Sequence, residues 1–178
     1  MQRINWFPDP NITGTIKPVT GSGNVKIDYT SVNKRNWMRA TSTTTGDNYA
    51  QYLLSGPQLP LSGSYHMHAL VYARGANASF QVFCHANGSY QQSFSIPVGN
   101  GQTVIVDKTF TLPPGYDYLL IRIQLDTQTV GAIGMMSDIH IERADTYDTA
   151  VGGGGFRASS RETRCRAHRS VRRAGDAR

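Results

Sequence analysis

Among the residues of this chain equipped for chemistry, flat aromatic faces and planar polar groups predominate. Trp37, Tyr49, Tyr52, Tyr72, Tyr90 and Tyr118 supply the first, and Gln81, Gln91, Arg122 and Gln124 the second. Aromatic faces suit rows of C–H bonds, and forked polar groups suit pairs of hydroxyls, so this is equipment for holding a sugar. Arg122 is the most pointed member. It alternates with the apolar row Leu119, Ile121, Ile123 and Leu125, so it must face solvent, a groove or a partner. Its fork suits vicinal hydroxyls or a carboxylate. The candidate ligand set is Arg122, Gln124, Tyr118, Trp37, Tyr49 and Gln81. Against it stand two plainer readings: an exposed Arg is by default a solvated one, and Trp6 and Trp37 are core residues by the usual burial of Trp.

Other chemistries find less support. There is no Gly-x-Ser-x-Gly, no phosphate-cradling glycine loop and no His-Glu-x-x-His. Glu142 is the only Glu before residue 151, and nothing marks the paired carboxylates of glycoside hydrolysis. The chain is therefore expected not to be an enzyme. His66 and His68, two apart on a strand, share a face and make half of a zinc or copper site, with no third or fourth ligand near them in sequence. Cys84 lies in a strand-like run and Cys165 far away, which is no disulfide framework, and Cys84 reads as a buried small apolar side chain.

The elements that must position these groups are strands. Val25–Tyr29 and Ser64–Tyr72 alternate apolar with polar, Phe80, Val82 and Cys84 share a face, and Ile139 and Ile141 alternate with Asp138, His140 and Glu142. Turn signals separate the runs: Gly21–Asn24, Gly46-Asp47-Asn48, Leu61-Ser62-Gly63, Asn87-Gly88, Gly99-Asn100-Gly101 and Pro113-Pro114-Gly115. The sequons at Asn11, Asn77 and Asn87 are read as turn chemistry. Helix periodicity is nearly absent. Roughly nine or ten short strands predict an all-β fold, an antiparallel two-sheet β-sandwich of jelly-roll type.

The formal charge of +6 is unevenly spread. Residues 1–150 hold ten Lys/Arg and ten Asp/Glu, and residues 151–178 hold eight Arg and two acids. A neutral β-sandwich domain, 1–150, is thus expected to carry a Gly/Arg-rich disordered tail, 151–178, too poor in apolar residues to fold. That tail has three readings. It binds nucleic acid through phosphates, it ends as a solvated terminus, or it is translated from GC-rich DNA in another frame. No apolar run approaches a membrane span, and Met1–Pro8 has no apolar segment of a signal peptide, so synthesis and retention in a cytoplasm are expected.

The order of motifs resembles the galactose-binding-like carbohydrate-binding modules of bacteriophage minor tail proteins. The opening Trp6-Phe7-Pro8-Asp9-Pro10-Asn11 is similar to the Asn-Pro-x-Phe start of that family. Asn48-Tyr49-Ala50-Gln51-Tyr52 precedes Leu59-Pro60-Leu61-Ser62-Gly63-Ser64-Tyr65, which resembles its Leu-x-Pro-Gly-x-Tyr turn. Thr109-Phe110-Thr111-Leu112-Pro113 leads to Tyr118–Ile123, and Ser137-Asp138-Ile139-His140-Ile141-Glu142 resembles the closing Asp-Asp-Ile strand. The resemblance covers residues 4–143. It implies a non-catalytic virion component, made in the host cytoplasm, that recognises host-surface carbohydrate beside other tail proteins and as a homo-oligomer. The alternative is a structural virion adaptor of the same fold that binds only protein. The resemblance also implies a structural calcium, for which Asp138 is the matching ligand. Ser137 replaces the first acid of the closing pair, and Asn11-Ile12 stands where the family favours Ser-Phe.

Overall fold

The period-2 rows become two stacked sheets. The computed structural model describes residues 4–21, 24–58 and 60–153. Its strands are β1 (Val19–Thr20), β2 (Val25–Val32), β3 (Arg35–Ser42), β4 (Tyr49–Ser55), β5 (Gly63–Arg74), β6 (Ala78–Ala86), β7 (Ser89–Val98), β8 (Thr103–Leu112), β9 (Tyr118–Leu125) and β10 (Ile133–Arg143). A 3-10 turn spans Gly56–Gln58, and a helix, α1 (Ala144–Gly153), follows β10. Sheet I has the order β1-β4-β9-β6-β7 and sheet II the order β2-β3-β10-β5-β8, with antiparallel pairing throughout. From β3 to β6, and again from β7 to β10, the chain changes sheet at every connection. This is the predicted all-β, two-sheet antiparallel sandwich. Among the described residues no helix is long and apolar enough to cross a membrane.

Leu119, Ile121, Ile123 and Leu125 point inward with Ala50, Tyr52 and Leu54 of β4 and Phe80, Val82 and Cys84 of β6. Met38, Ala40, Met67, Val71, Met136, Ile139 and Ile141 of sheet II meet them. The small residues Ala40, Gly134 and Ala73 lie side by side on β3, β10 and β5. A Cβ on Gly134 would fall 2.6 Å from both Ile123 Cγ1 and Leu125 Cδ2, so at this small row the two sheets approach closely. Two-residue turns close β2–β3 and β6–β7. Asn33-Lys34 and Asn87-Gly88 each carry two positive φ angles (52° and 63°, 53° and 74°), as type I′ turns require.

One element departs from the sequence reading. Helix α1 has no apolar stripe, yet it packs on β5 and β10 through Tyr147, whose ring stacks on His66 at 3.5 Å and 7°. It runs across the boundary expected after residue 150. The arginines of the expected tail lie outside the described residues.

Candidate functional site

The six candidate ligand residues fall on two opposite surfaces. Arg122, Gln124, Tyr118, Tyr49 and Gln81 lie on the outer face of sheet I, and Trp37 lies on the outer face of sheet II. The period of two showed which way each side chain points, but not which sheet its strand joins.

On sheet I the register lines up Gln51, Arg122 and Gln81 across β4, β9 and β6. The Arg122 guanidinium carbon sits 3.9 Å from the Tyr49 ring centroid and 5.1 Å from that of Phe83, and Nε donates to Gln51 Oε1 at 2.9 Å. The Tyr49 ring also rests on Gly21, where a Cβ would fall 2.2 Å from it. Gln124 Nε2 donates to Asp47 Oδ1 and to the Asn48 carbonyl, both at 3.1 Å, and Gln81 Nε2 donates to Ser79 Oγ at 3.0 Å. These polar groups satisfy one another across the sheet. Beyond them His85 stacks on Tyr118 at 4.6 Å and 8°, and Tyr90, 63 % exposed, meets both edge-on. The Tyr118 hydroxyl donates to Tyr90 at 3.1 Å, and that bond, with a little burial, pushes it up to about 12. Asp117 holds His85 Nδ1 at 2.7 Å. Tyr52 is in the core and not on either face.

Sheet II presents a groove. Trp37, Leu70 and Met135 form a second buried cluster, apart from the main core, with Tyr72 and Ile133 packed against it. The groove over this cluster measures about 520 Å³, and its edge is lined by Thr30, Val32, Asn33, Thr103 and three arginines, Arg35, Arg39 and Arg74. That volume lies in the range of small-molecule sites, roughly 300–1,000 Å³. Trp37 is thus buried, as Trp usually is, but beneath the groove and not between the sheets. Asp28 and Arg39 are directly paired in register and meet fork to fork, Nε to Oδ1 at 2.7 Å and Nη2 to Oδ2 at 2.8 Å. The Asp28 carboxylate holds the Arg39 pKa above its ordinary value, through the hydrogen bonds first and then its charge. Arg35 Nε lies 2.6 Å from Asp138 Oδ2. Sequence reasoning missed these arginines, although Arg35-x-Trp37-x-Arg39 places all three side chains on one strand face. Helix α1 covers the other end of this face, over His66.

The fold brings more groups to the histidines than their sequence neighbourhood suggested. His140 and Asp107 flank His68, Glu142 stands opposite His66, and His66 Nε2 lies 2.5 Å from Asp107 Oδ1. Even so, no three His, Cys, Asp or Glu among the described residues are placed to hold a metal ion.

The corner where calcium is implied is built differently. At the bulge of β10, Asp138 takes φ 48° and meets Arg35, while Ser137 Oγ donates to the Asn36 carbonyl at 2.6 Å. Lys34 and Arg35 line the same polar hollow as Asp138. Nearby Asp9 is buried, which pushes its pKa up. Hydrogen bonds from Thr13 N, Thr13 Oγ1 and Gly14 N, each at 2.9 Å, outweigh this and hold it below the ordinary carboxylate value. Calcium takes six to eight oxygens. A carboxylate already paired with a guanidinium, in a hollow that Lys34 also lines, does not fit that ion.

No protein-family model and no curated protein matches the chain. Solved structures do. The CBM22-1 xylan-binding domain of Paenibacillus barcinonensis Xyn10C aligns at a TM-score of 0.55 and 15 % identity, over 79 % of this chain and 92 % of that one. The tandem CBM22-1-CBM22-2 domain of the same protein gives 0.57 and 14 %, over 80 % of this chain and 48 % of that one. The CBM22-1-GH10 modules of Clostridium thermocellum Xyn10B, complexed with xylohexaose, give 0.52 and 12 %, over 79 % and 27 %. At such identities the likeness shows the fold: this chain shares its β-sandwich with carbohydrate-binding modules.

Proposed function

We propose that the chain is a non-catalytic carbohydrate-binding module whose glycan lies in the groove on the outer face of sheet II. The observation that carries this reading is the groove itself, an aromatic and apolar floor of Trp37, Tyr72 and Met135 edged by three guanidiniums, two of which carboxylates already hold in place. A sugar ring needs an apolar surface for its C–H face and fixed planar donors for its hydroxyls, and here both are preorganised. The shared fold of xylan-binding modules supports the ligand class. A setting in a virion, as a minor tail or receptor-binding component assembled with other tail proteins, draws its support from the motif order.

The test is a glycan array followed by titration calorimetry. Wild-type protein binds a subset of glycans, and Tyr72→Ala weakens that binding about tenfold, the loss of one good stacking contact with its hydroxyl. Absence of binding by folded protein defeats the proposal. A second reading places the polar ligand on sheet I, and the exposed stack of Tyr90, Tyr118 and His85 favours it. Under that reading Tyr118→Ala, and not Tyr72→Ala, removes binding.

A further inference from the structure

We infer that the groove takes a saccharide bearing a carboxylate, a uronic acid unit, and that Arg74 is the residue that reads it. This rests on the groove being the glycan site. Three guanidiniums line it, and two are spoken for, Arg39 by Asp28 and Arg35 by Asp138. Arg74 is exposed and has no ion pair or hydrogen bond among the described residues. Three cations against two carboxylates leave one positive charge, and it sits at Arg74.

Its position suits the task. Arg74 ends β5 opposite Ile133, two residues beyond Tyr72 and on the same face, so its fork extends from the edge of the aromatic floor. The backbone around it is fixed: Gly75 N donates to Asn100 Oδ1 at 2.9 Å, Asn100 N to Asn77 Oδ1 at 2.9 Å, and Gly101 N to the Ala73 carbonyl at 2.8 Å. A cation on an anchored strand end, beside a surface for a sugar ring, matches a ligand that carries a planar anion on that ring. A guanidinium meets a carboxylate through two parallel hydrogen bonds, a geometry that an ammonium cannot reproduce. Thr30, Asn33 and Thr103 remain for neutral hydroxyls.

The experiment uses matched probes in calorimetry: polygalacturonate against its methyl ester, xylo-oligosaccharides with and without a glucuronic acid branch, and dextran sulfate. Wild-type protein prefers the carboxylated member of a pair. Arg74→Gln lowers the carboxylated-to-neutral affinity ratio about tenfold or more, as the loss of a charged hydrogen-bonded pair implies. Arg74→Lys recovers only part of it, and added salt narrows the gap. Equal affinity for charged and neutral probes, or a ratio unmoved by Arg74→Gln, overturns the inference while the glycan site stands. Dextran sulfate bound as tightly as the carboxylated probes, with Arg74→Lys as good as Arg74, overturns it too, because charge alone then suffices. Binding to no probe, and to no glycan on the array, overturns the site and the inference together. Since Arg74 is exposed, both variants unfold with the wild-type midpoint, which shows that each is folded.

Discussion

Asp9 and Arg122 show how single side chains divide between holding the fold and meeting a ligand. Asp9 is buried and organises the loop from Thr13 to Gly14 through both carboxylate oxygens. Its folded pKa is below its ordinary value, so the stability it contributes is complete above the unfolded value of about 3.9 and is lost as pH falls through the folded one. Asp9→Asn is expected to cost about 1–3 kcal/mol at neutral pH and to flatten the acid limb of stability, both read from denaturant melts across pH. Arg122 was legible as an outward-facing residue because the row opposite it is apolar without interruption. What it would meet there was not legible. Tyr49, Phe83 and Gln51 come from two other strands, and no local pattern in the sequence announces them.

At the scale of elements, alternation found the strands and turn residues found their ends, since both are short-range signals. Asn87-Gly88 reads directly as a hairpin turn. Asn33-Lys34 forms the same turn without a glycine, and Lys34 at φ 63° carries left-handed strain. Lys34→Gly is expected to leave the fold intact and to raise stability by up to about 1 kcal/mol, measured by thermal unfolding. Helix α1 escaped notice because Ala144–Gly153 has no helical apolar period and ends in glycines. Its anchor is a stack on His66, far away in sequence. The place of Trp37, named in sequence both as a ligand candidate and as core, was hidden for a related reason. Burial is the default for Trp, and the second cluster beneath the groove exists only once β10 lies between β3 and β5. The row Ala40, Gly134, Ala73 yields a sharper prediction. Gly134→Ala overpacks Ile123 and Leu125 and lowers stability by about 1–3 kcal/mol, seen as a shift in the denaturant midpoint at unchanged slope.

For the whole molecule, the sandwich separates two polar faces that the sequence could not tell apart. On sheet I, Arg122, Gln124 and Gln81 bond to protein neighbours, and sheet II shows a groove with one cation to spare. The corner joining the N-terminal segment to β10 is held by Arg35–Asp138, by Ser137 on the Asn36 carbonyl, and by Asn36 Nδ2 on the Asn11 carbonyl at 3.1 Å, and among the described residues no cluster of three ligating side chains stands there for an ion. A chelator at millimolar concentration is therefore expected to leave the melting midpoint unchanged. A fall of several degrees, reversed by calcium, would speak for a structural ion instead.

The account depends most on which face holds the glycan. Backbone amide NMR, titrated with the tightest ligand from the array, tests this directly. The account predicts that shifts concentrate at Thr30, Trp37, Arg39, Tyr72, Arg74 and Met135. Shifts concentrated instead at Tyr49, Gln81, Tyr118, Arg122 and Gln124 would contradict it.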